Sequence, residues 1–245
     1  MSAGKHWLLL TNDDGIEAVG FEMLVKALHS EGYPLAVIAP SENHSATGMR
    51  INLMKPMGLR SRDDLAKRWG LDPHQTPVHL FELDGSPCDT MIVALDGGLN
   101  HLVPGAHPQM VVSGVNLGPN LSQDSYHSGT MGAAREAGLY GVPAIASSFT
   151  KFDAEGMEKA IQATLEAVAV AAKVLPPKAK NLGRPNGSTN ARYYEHWPKE
   201  TGAPQWAQDP NRFLRSAFAD GDLMLNVNVP PTWDGGWAST RLGVR

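Results

Sequence analysis

The chain has 245 residues, a formal net charge of −4, and 42% hydrophobic against 19% charged residues, the balance of a soluble globular protein with one sizeable core. It has no long Lys/Arg run, which excludes an electrostatic footprint for nucleic acid or an anionic membrane. One cysteine, Cys88, excludes an internal disulfide and a cysteine-rich zinc site, and points to a reducing cytoplasm.

The opening MSAGKHWLLLTND reaches polar residues too soon for a signal peptide. Residues 7 to 11, WLLLT, read as a short buried strand closed by a turn. A helix is expected over residues 18 to 31, with Phe21, Leu24, Val25 and Leu28 at helical spacing and Gly32 as its stop. PLAVIAP (34 to 40) is a second buried strand, followed by the loop SENHSATG. MRINLM (49 to 54) is expected as a strand, and residues 58 to 77 as irregular chain with a short charged helix.

VHLFELDG (78 to 85) is strand-like, and residues 89 to 96 form a helix that Gly97 and Gly98 should stop. PQMVVSG (108 to 114) is a further strand, leading into a long polar loop, VNLGPNLSQDSYHS. A helix begins near Gly129, PAIASS (143 to 148) returns to strand, and Asp153 is the expected cap of a long helix carrying Met157, Ile161, Leu165 and Val168. The most apolar helical run, ATLEAVAVAAKVL, is too short to span a bilayer.

Strands alternating with helices predict an α/β fold: a Rossmann-like, mostly parallel sheet with helices on both faces. The expected organisation is a single domain, with a core over residues 1 to 174 and an insertion or arm over 175 to 220. That arm is rich in Pro, Asn and Gly and carries Tyr193, Tyr194, Trp197 and Trp206; a C-terminal strand region follows over 221 to 245. In such a sheet the C-terminal strand ends share one edge, and ligands bind there.

Three segments bring chemistry to that edge. Asp13 and Asp14 follow the first strand, and two adjacent carboxylates in a crevice call for a cation. SGVNLGPN offers Asn116 and Asn120 as neutral oxygen donors. Ser128, Gly129 and Thr130 lie where a helix starts, so its free N–H groups and two hydroxyls suit a phosphate. Taken singly, each has a plain reading as turn or cap. Carboxylate, amide and hydroxyl oxygens together favour a hard ion, Mg²⁺ or Mn²⁺, over zinc, and such an ion beside a phosphate cradle implies phosphoryl chemistry. Ser45 could add a hydroxyl. His44 and His127 could donate to phosphate or protonate a leaving oxygen. Cys88, at a helix start in GSPCDT, reads as a packed thiol. No P-loop, dinucleotide fingerprint or nucleophile elbow is present.

The segments LLLTNDDGIEAVGFEMLVKAL, LAVIAPSENHSA, DGSPCDTMIVAL and VVSGVNLGPN followed by YHSGTMGAAREAG, in that order, resemble the SurE survival-protein family of metal-dependent nucleotide phosphatases. The resemblance covers residues 7 to 150 and extends to a later strand, LNVNVP. It implies that Asp13, Asp14, Ser45 and Asn116 ligate one divalent ion, and that Asn12, Asn120, Ser128, Gly129 and Thr130 line the phosphate site. It further implies hydrolysis of nucleoside 5′- and 3′-monophosphates, trimming of short polyphosphate in some members, and dimers or tetramers built by exchange of C-terminal segments. An attacking water would be oriented or deprotonated by Asp13 or Asp14. Departures are Ala46 where the family has glycine, GSP in place of GTP, a longer stretch over 175 to 220, and a sequence ending at STRLGVR where the family continues. A non-catalytic nucleotide- or phosphate-binding module is the alternative. A signalling receiver domain would need a later phosphoacceptor Asp and a Lys before proline, and residues 109 to 120 and 143 to 150 supply neither.

Overall fold

The computed structural model describes residues 5–183 and 209–240. Tyr193, Tyr194, Trp197 and Trp206 of the expected arm lie outside the described residues. Among those described, seven strands form one sheet: β1 (Leu8–Thr11), β2 (Leu35–Pro40), β3 (Leu59–Ser61), β4 (Val78–Leu83), β5 (Met110–Leu117), β6 (Ala144–Phe149) and β7 (Met224–Val229). Their order across the sheet is β3-β4-β2-β1-β5-β6-β7. β3 runs antiparallel at one edge, and every other pair is parallel. From β1 the chain winds outward through β2 to β4, then returns to the other side of β1 with β5. That reversal makes β1 and β5 the switch point, where a crevice opens beyond their C-terminal ends.

The central strands β1, β2, β5 and β6 are buried on both faces, so their residues are mostly apolar, whereas β3, β4 and β7 keep exposed positions. Leu8 and Leu10 join the core on one face; Leu9 joins the core on the other. The first face is covered by α1 (Val19–Ser30), α2 (Asp63–Arg68) and α7 (Glu158–Val174). The second is covered by α3 (Pro87–Val93), α4 (Leu99–Leu102) and α6 (Gly129–Leu139). A single turn, α5 (Asp124–His127), precedes α6, and α8 (Pro210–Ala219) precedes β7. On α1, Phe21, Leu24, Val25 and Leu28 are fully buried, each burial contributing roughly 1.5–3 kcal/mol. Gly32, at φ +81°, ends that helix: its N–H donates to His29 O and the Tyr33 N–H to Leu28 O. The expected α/β class, with helices on both faces, is the class observed.

Several boundaries differ from expectation. MRINLM is not a strand: the Asn52 N–H donates to Asp89 Oδ1 at 2.9 Å, Leu53 and Met54 are exposed, and no strand lies beside it. β3 instead forms from LRS, inside the stretch expected to be irregular. α3 starts two residues earlier than expected, at Pro87, because Ser86 and Asp89 cap it reciprocally. Gly97 and Gly98 do not stop the chain's winding, since a wide turn over Ala94–Gly98 leads straight into α4. Asp153 does not cap α7; it accepts from the Glu155 N–H and pairs with Lys151. β5 runs three residues beyond the expected end, with a register shift between Ser113 and Asn116, so Asn116 lies on a strand and not in a loop.

Candidate active site at the switch point

Pairing of β1 with β5 sets Thr11 opposite Ser113. The two residues after Asn12 and the end of β5 therefore reach the same height above the sheet. Asp14 reports this directly, because its Oδ2 accepts from the Leu117 N–H at 3.3 Å, one residue past Asn116. The Asn116 side-chain amide donates to Gly118 O at 2.8 Å. Its carbonyl oxygen makes no protein hydrogen bond among the described residues.

Asp13 is 2% exposed and abuts the start of α6. The Thr130 hydroxyl donates to Asp13 Oδ1, and the Thr130 N–H also faces that carboxylate. Gly129 is required here, since a Cβ on it would lie 2.7 Å from Asp13 Cβ. Ser128 caps the helix, its Oγ accepting from the Met131 N–H at 3.1 Å. Thr130 is thus committed to Asp13, which leaves the Gly129 N–H and the Ser128 hydroxyl hydrogen as donors at this helix start.

Burial, chiefly, pushes the Asp13 carboxyl up to about 6, and the neighbouring Asp14 charge adds to it against the Thr130 hydrogen bond. Asp14 is also raised, mainly by burial, against hydrogen bonds from Leu117 and Asn43. Among the described residues no Lys or Arg pairs with either carboxylate. Two adjacent acids, one buried and one half-buried, without a protein cation are the electrostatic signature of a site for an external one. Among the described residues no three His, Cys, Asp or Glu side chains gather to hold a metal. An ion here would rest on two carboxylates and neutral oxygens, a donor set suited to a hard cation.

A family model described as "Survival protein SurE" matches residues 8–245. The chain belongs to the SurE family. It is 35% identical over 243 residues to the 5′-nucleotidase SurE of Carboxydothermus hydrogenoformans, covering 97% of this chain and 71% of that protein. It is 40% identical over 141 residues to the 5′-nucleotidase SurE of Anaeromyxobacter sp. (strain Fw109-5), a match spanning 58% of this chain and 48% of the relative. The crystal structure of the SurE protein from Aquifex aeolicus superposes with a TM-score of 0.55 at 28% identity, covering 68% of this chain and 60% of that one. The resemblance drawn from the ordered motifs is thereby established, and with it the fold.

The SurE loop carrying Ser45 is fastened at two points. The His44 N–H donates to Asp13 O at 2.6 Å, and the Gly48 N–H donates to His127 O at 2.6 Å. Between them Ala46 holds φ +59°, a left-handed conformation that glycine adopts without cost. A glycine at this position would meet that backbone requirement without strain. Ser45 is exposed, and Asn43 links it to Asp14. The Asn43 side-chain oxygen accepts from the Ser45 N–H at 2.8 Å, and its amide donates to Asp14 Oδ1 at 3.3 Å. Sequence reasoning missed Asn43, although an Asn two residues before a turn serine is the pattern of an Asx-turn.

Asn12 gives its amide to Gly15 O at 2.7 Å, while its buried Oδ1 has no partner among the described residues. That free atom is an acceptor, which suits a cation or a water and not a phosphate oxygen. Asn120 is 4% exposed and held on three sides: its N–H donates to Asn228 Oδ1, its amide to Ser148 Oγ, and its carbonyl accepts from Asn226. The Asn226 and Asn228 pair, two apart on β7, was also missed as site support. Their period-two spacing was its signal. His44 is half-buried, and His127 is exposed. His44 and Ser45 line a cavity of about 230 Å³ together with Arg50, Asn52, Lys55 and Asp84. Cys88 is buried, and burial pushes its thiol up to about 12, as expected of a packed cysteine.

Proposed function

We propose that this SurE-family chain is a divalent-metal-dependent phosphomonoesterase that hydrolyses nucleoside 5′-monophosphates, with 3′-monophosphates as further substrates. The observation carrying this reading is the pair of adjacent carboxylates, buried Asp13 and half-buried Asp14, without a protein cation, beside Asn116 and the start of α6. The nucleotidase class follows the relatives named above. Asp13, Asp14, Asn116 and Ser45 would hold one Mg²⁺ or Mn²⁺, with the Asn12 oxygen within the same crevice wall. Such an ion, when bound, neutralises phosphate charge and acidifies water.

The chain's own groups do the rest. The Gly129 N–H and Ser128 hydroxyl, at the positive end of α6, hold phosphate oxygens, with Asn120 beside them. Thr130 and Leu117 fix the two carboxylates, which keep the attacking water in line with the ester bond and accept its proton. His44, in the cavity next to Ser45, gives the departing alkoxide a proton; His127 serves the solvent side. We further propose that the chain works in the cytoplasm as a homodimer or homotetramer, since β7 ends the sheet, with Leu223 just before it and Leu225 on it 39% and 41% exposed. Among the described residues no helix is long and apolar enough to cross a membrane.

Phosphate release from AMP with Mn²⁺, and its loss in EDTA, tests the reading. Equal rates in both would defeat it, and tight AMP binding with no turnover would favour a binding module instead. Asp14→Asn is expected to lower kcat/KM by roughly a hundredfold or more and to weaken Mn²⁺ binding. Unchanged Mn²⁺ affinity by calorimetry would remove Asp14 from the ligand set.

A further inference from the structure

Phe152, three residues past the end of β6, is 80% exposed, yet its ring packs against the neighbouring loop. One edge of the ring lies against Gly118: a Cβ built there would stand 2.7 Å from Cε1, 3.1 Å from Cδ1 and 3.6 Å from Cζ. Only a glycine, here at φ +121°, lets the ring come this close to the loop. The two loops leave the sheet together, because Leu117 pairs with Phe149 and the Gly118 N–H donates to Phe149 O at 2.9 Å. With 80% of its surface exposed, the ring stands open to solvent beside the end of β5.

The same loop reaches the carboxylates. Leu117, next to Gly118, donates its N–H to Asp14, and Asn116 donates its amide to the Gly118 carbonyl. Leu117 thus touches the Asp14 carboxylate and its neighbour Gly118 touches the ring, so one Cα–Cα step of about 3.8 Å separates the two contacts, a spacing that a nucleoside monophosphate can bridge. Tyr126, also exposed near this edge, already has the Arg135 guanidinium 5.6 Å over its ring.

We propose that Phe152 is the platform on which the substrate's nucleobase stacks while its phosphate sits at Asp13 and Asp14; this rests on the phosphatase reading above. An aromatic face holds any base by its π-surface and reads no hydrogen-bond pattern, so adenine and guanine esters are held alike. A sugar phosphate without a base gains nothing from it. Contact this far from phosphorus is equal in ground and transition states, so it lowers KM and leaves kcat alone.

The test compares the full chain with F152A and F152W in Mn²⁺, using AMP and ribose 5-phosphate as substrates. F152A is expected to raise KM for AMP about tenfold or more with kcat unchanged. Its KM for ribose 5-phosphate should move less than about twofold, and F152W should restore the AMP value. An AMP KM unchanged in F152A overturns the proposal, and so does an equal loss on both substrates. If the unaltered chain hydrolyses neither ester, the phosphatase reading fails by itself. Calorimetry with adenosine, which cannot be hydrolysed, then decides the stacking: weaker binding to F152A supports it, and equal binding overturns it.

Discussion

Asp13 carries an electrostatic cost that the fold accepts. Its carboxyl titrates at 3.8 in the unfolded reference and at about 6 in the folded chain. Between those values the native state binds more protons than the unfolded state, so stability falls as pH rises. The stabilising contribution is complete below 3.8 and is lost as pH passes through about 6. Raised in the same direction, Asp14 adds to the effect. In EDTA, chemical unfolding is expected to give less stability at pH 7 than at pH 5, with Asp13→Asn removing roughly 1 kcal/mol of that difference. Mn²⁺ should restore more stability at pH 7 than at pH 5, because an ion competes with the proton for the same oxygens. Identical pH profiles for the unaltered chain and Asp13→Asn would contradict this account. The acidic pair was legible in the sequence as NDDG. Asn43, which ties Ser45 to Asp14, was not, because its role depends on a loop folding back over the end of β1.

At the scale of elements, α6 and the Ser45 loop are packed as one unit. Gly132 lets the helix touch the loop: an added Cβ would lie 2.3 Å from Gly48 O. Helix propensity alone favours alanine over glycine by about 1 kcal/mol. Overpacking against a backbone carbonyl costs about 1–3 kcal/mol and is the larger effect. Gly132→Ala is therefore expected to destabilise the chain by roughly 1–2 kcal/mol and to raise KM by displacing the Ser45 loop, both read from urea unfolding and steady-state kinetics. A gain in stability would show that the loop yields freely. Helix and strand identities followed from periodicity, as in Phe21, Leu24, Val25 and Leu28 on α1. Where expectation failed, a long-range side-chain contact had replaced a local rule: Asp89 takes the Asn52 N–H from any would-be strand, and Lys151 takes Asp153 from α7.

Across the molecule, the edge beyond β4 is joined to the end of β1 by Arg62. Its guanidinium pairs with Glu82 on β4, Glu17 in the loop after β1, and Asp64 on α2. The Arg62 and Glu82 side chains are only 15% and 11% exposed. Arg62→Met should therefore cost roughly 2–3 kcal/mol, with little relief from salt. Arg68→Met removes an exposed pair with Glu17 and should cost less than about 1 kcal/mol, vanishing in high salt. Thermal unfolding of both variants at low and high ionic strength checks the contrast; equal losses would mean that burial does not distinguish the two pairs.

The sequence by itself determined the α/β class, the core helices, the family and the candidate residues, because apolar periodicity and ordered motifs are local properties of a chain. Only the tertiary structure decided how those residues meet. The strand order reverses at β1 and β5, β5 runs on to carry Asn116 level with Asp14, and α6 spends Thr130 on Asp13. These depend on which strands pair and in what register, and contacts between residues a hundred positions apart leave no mark on local spacing.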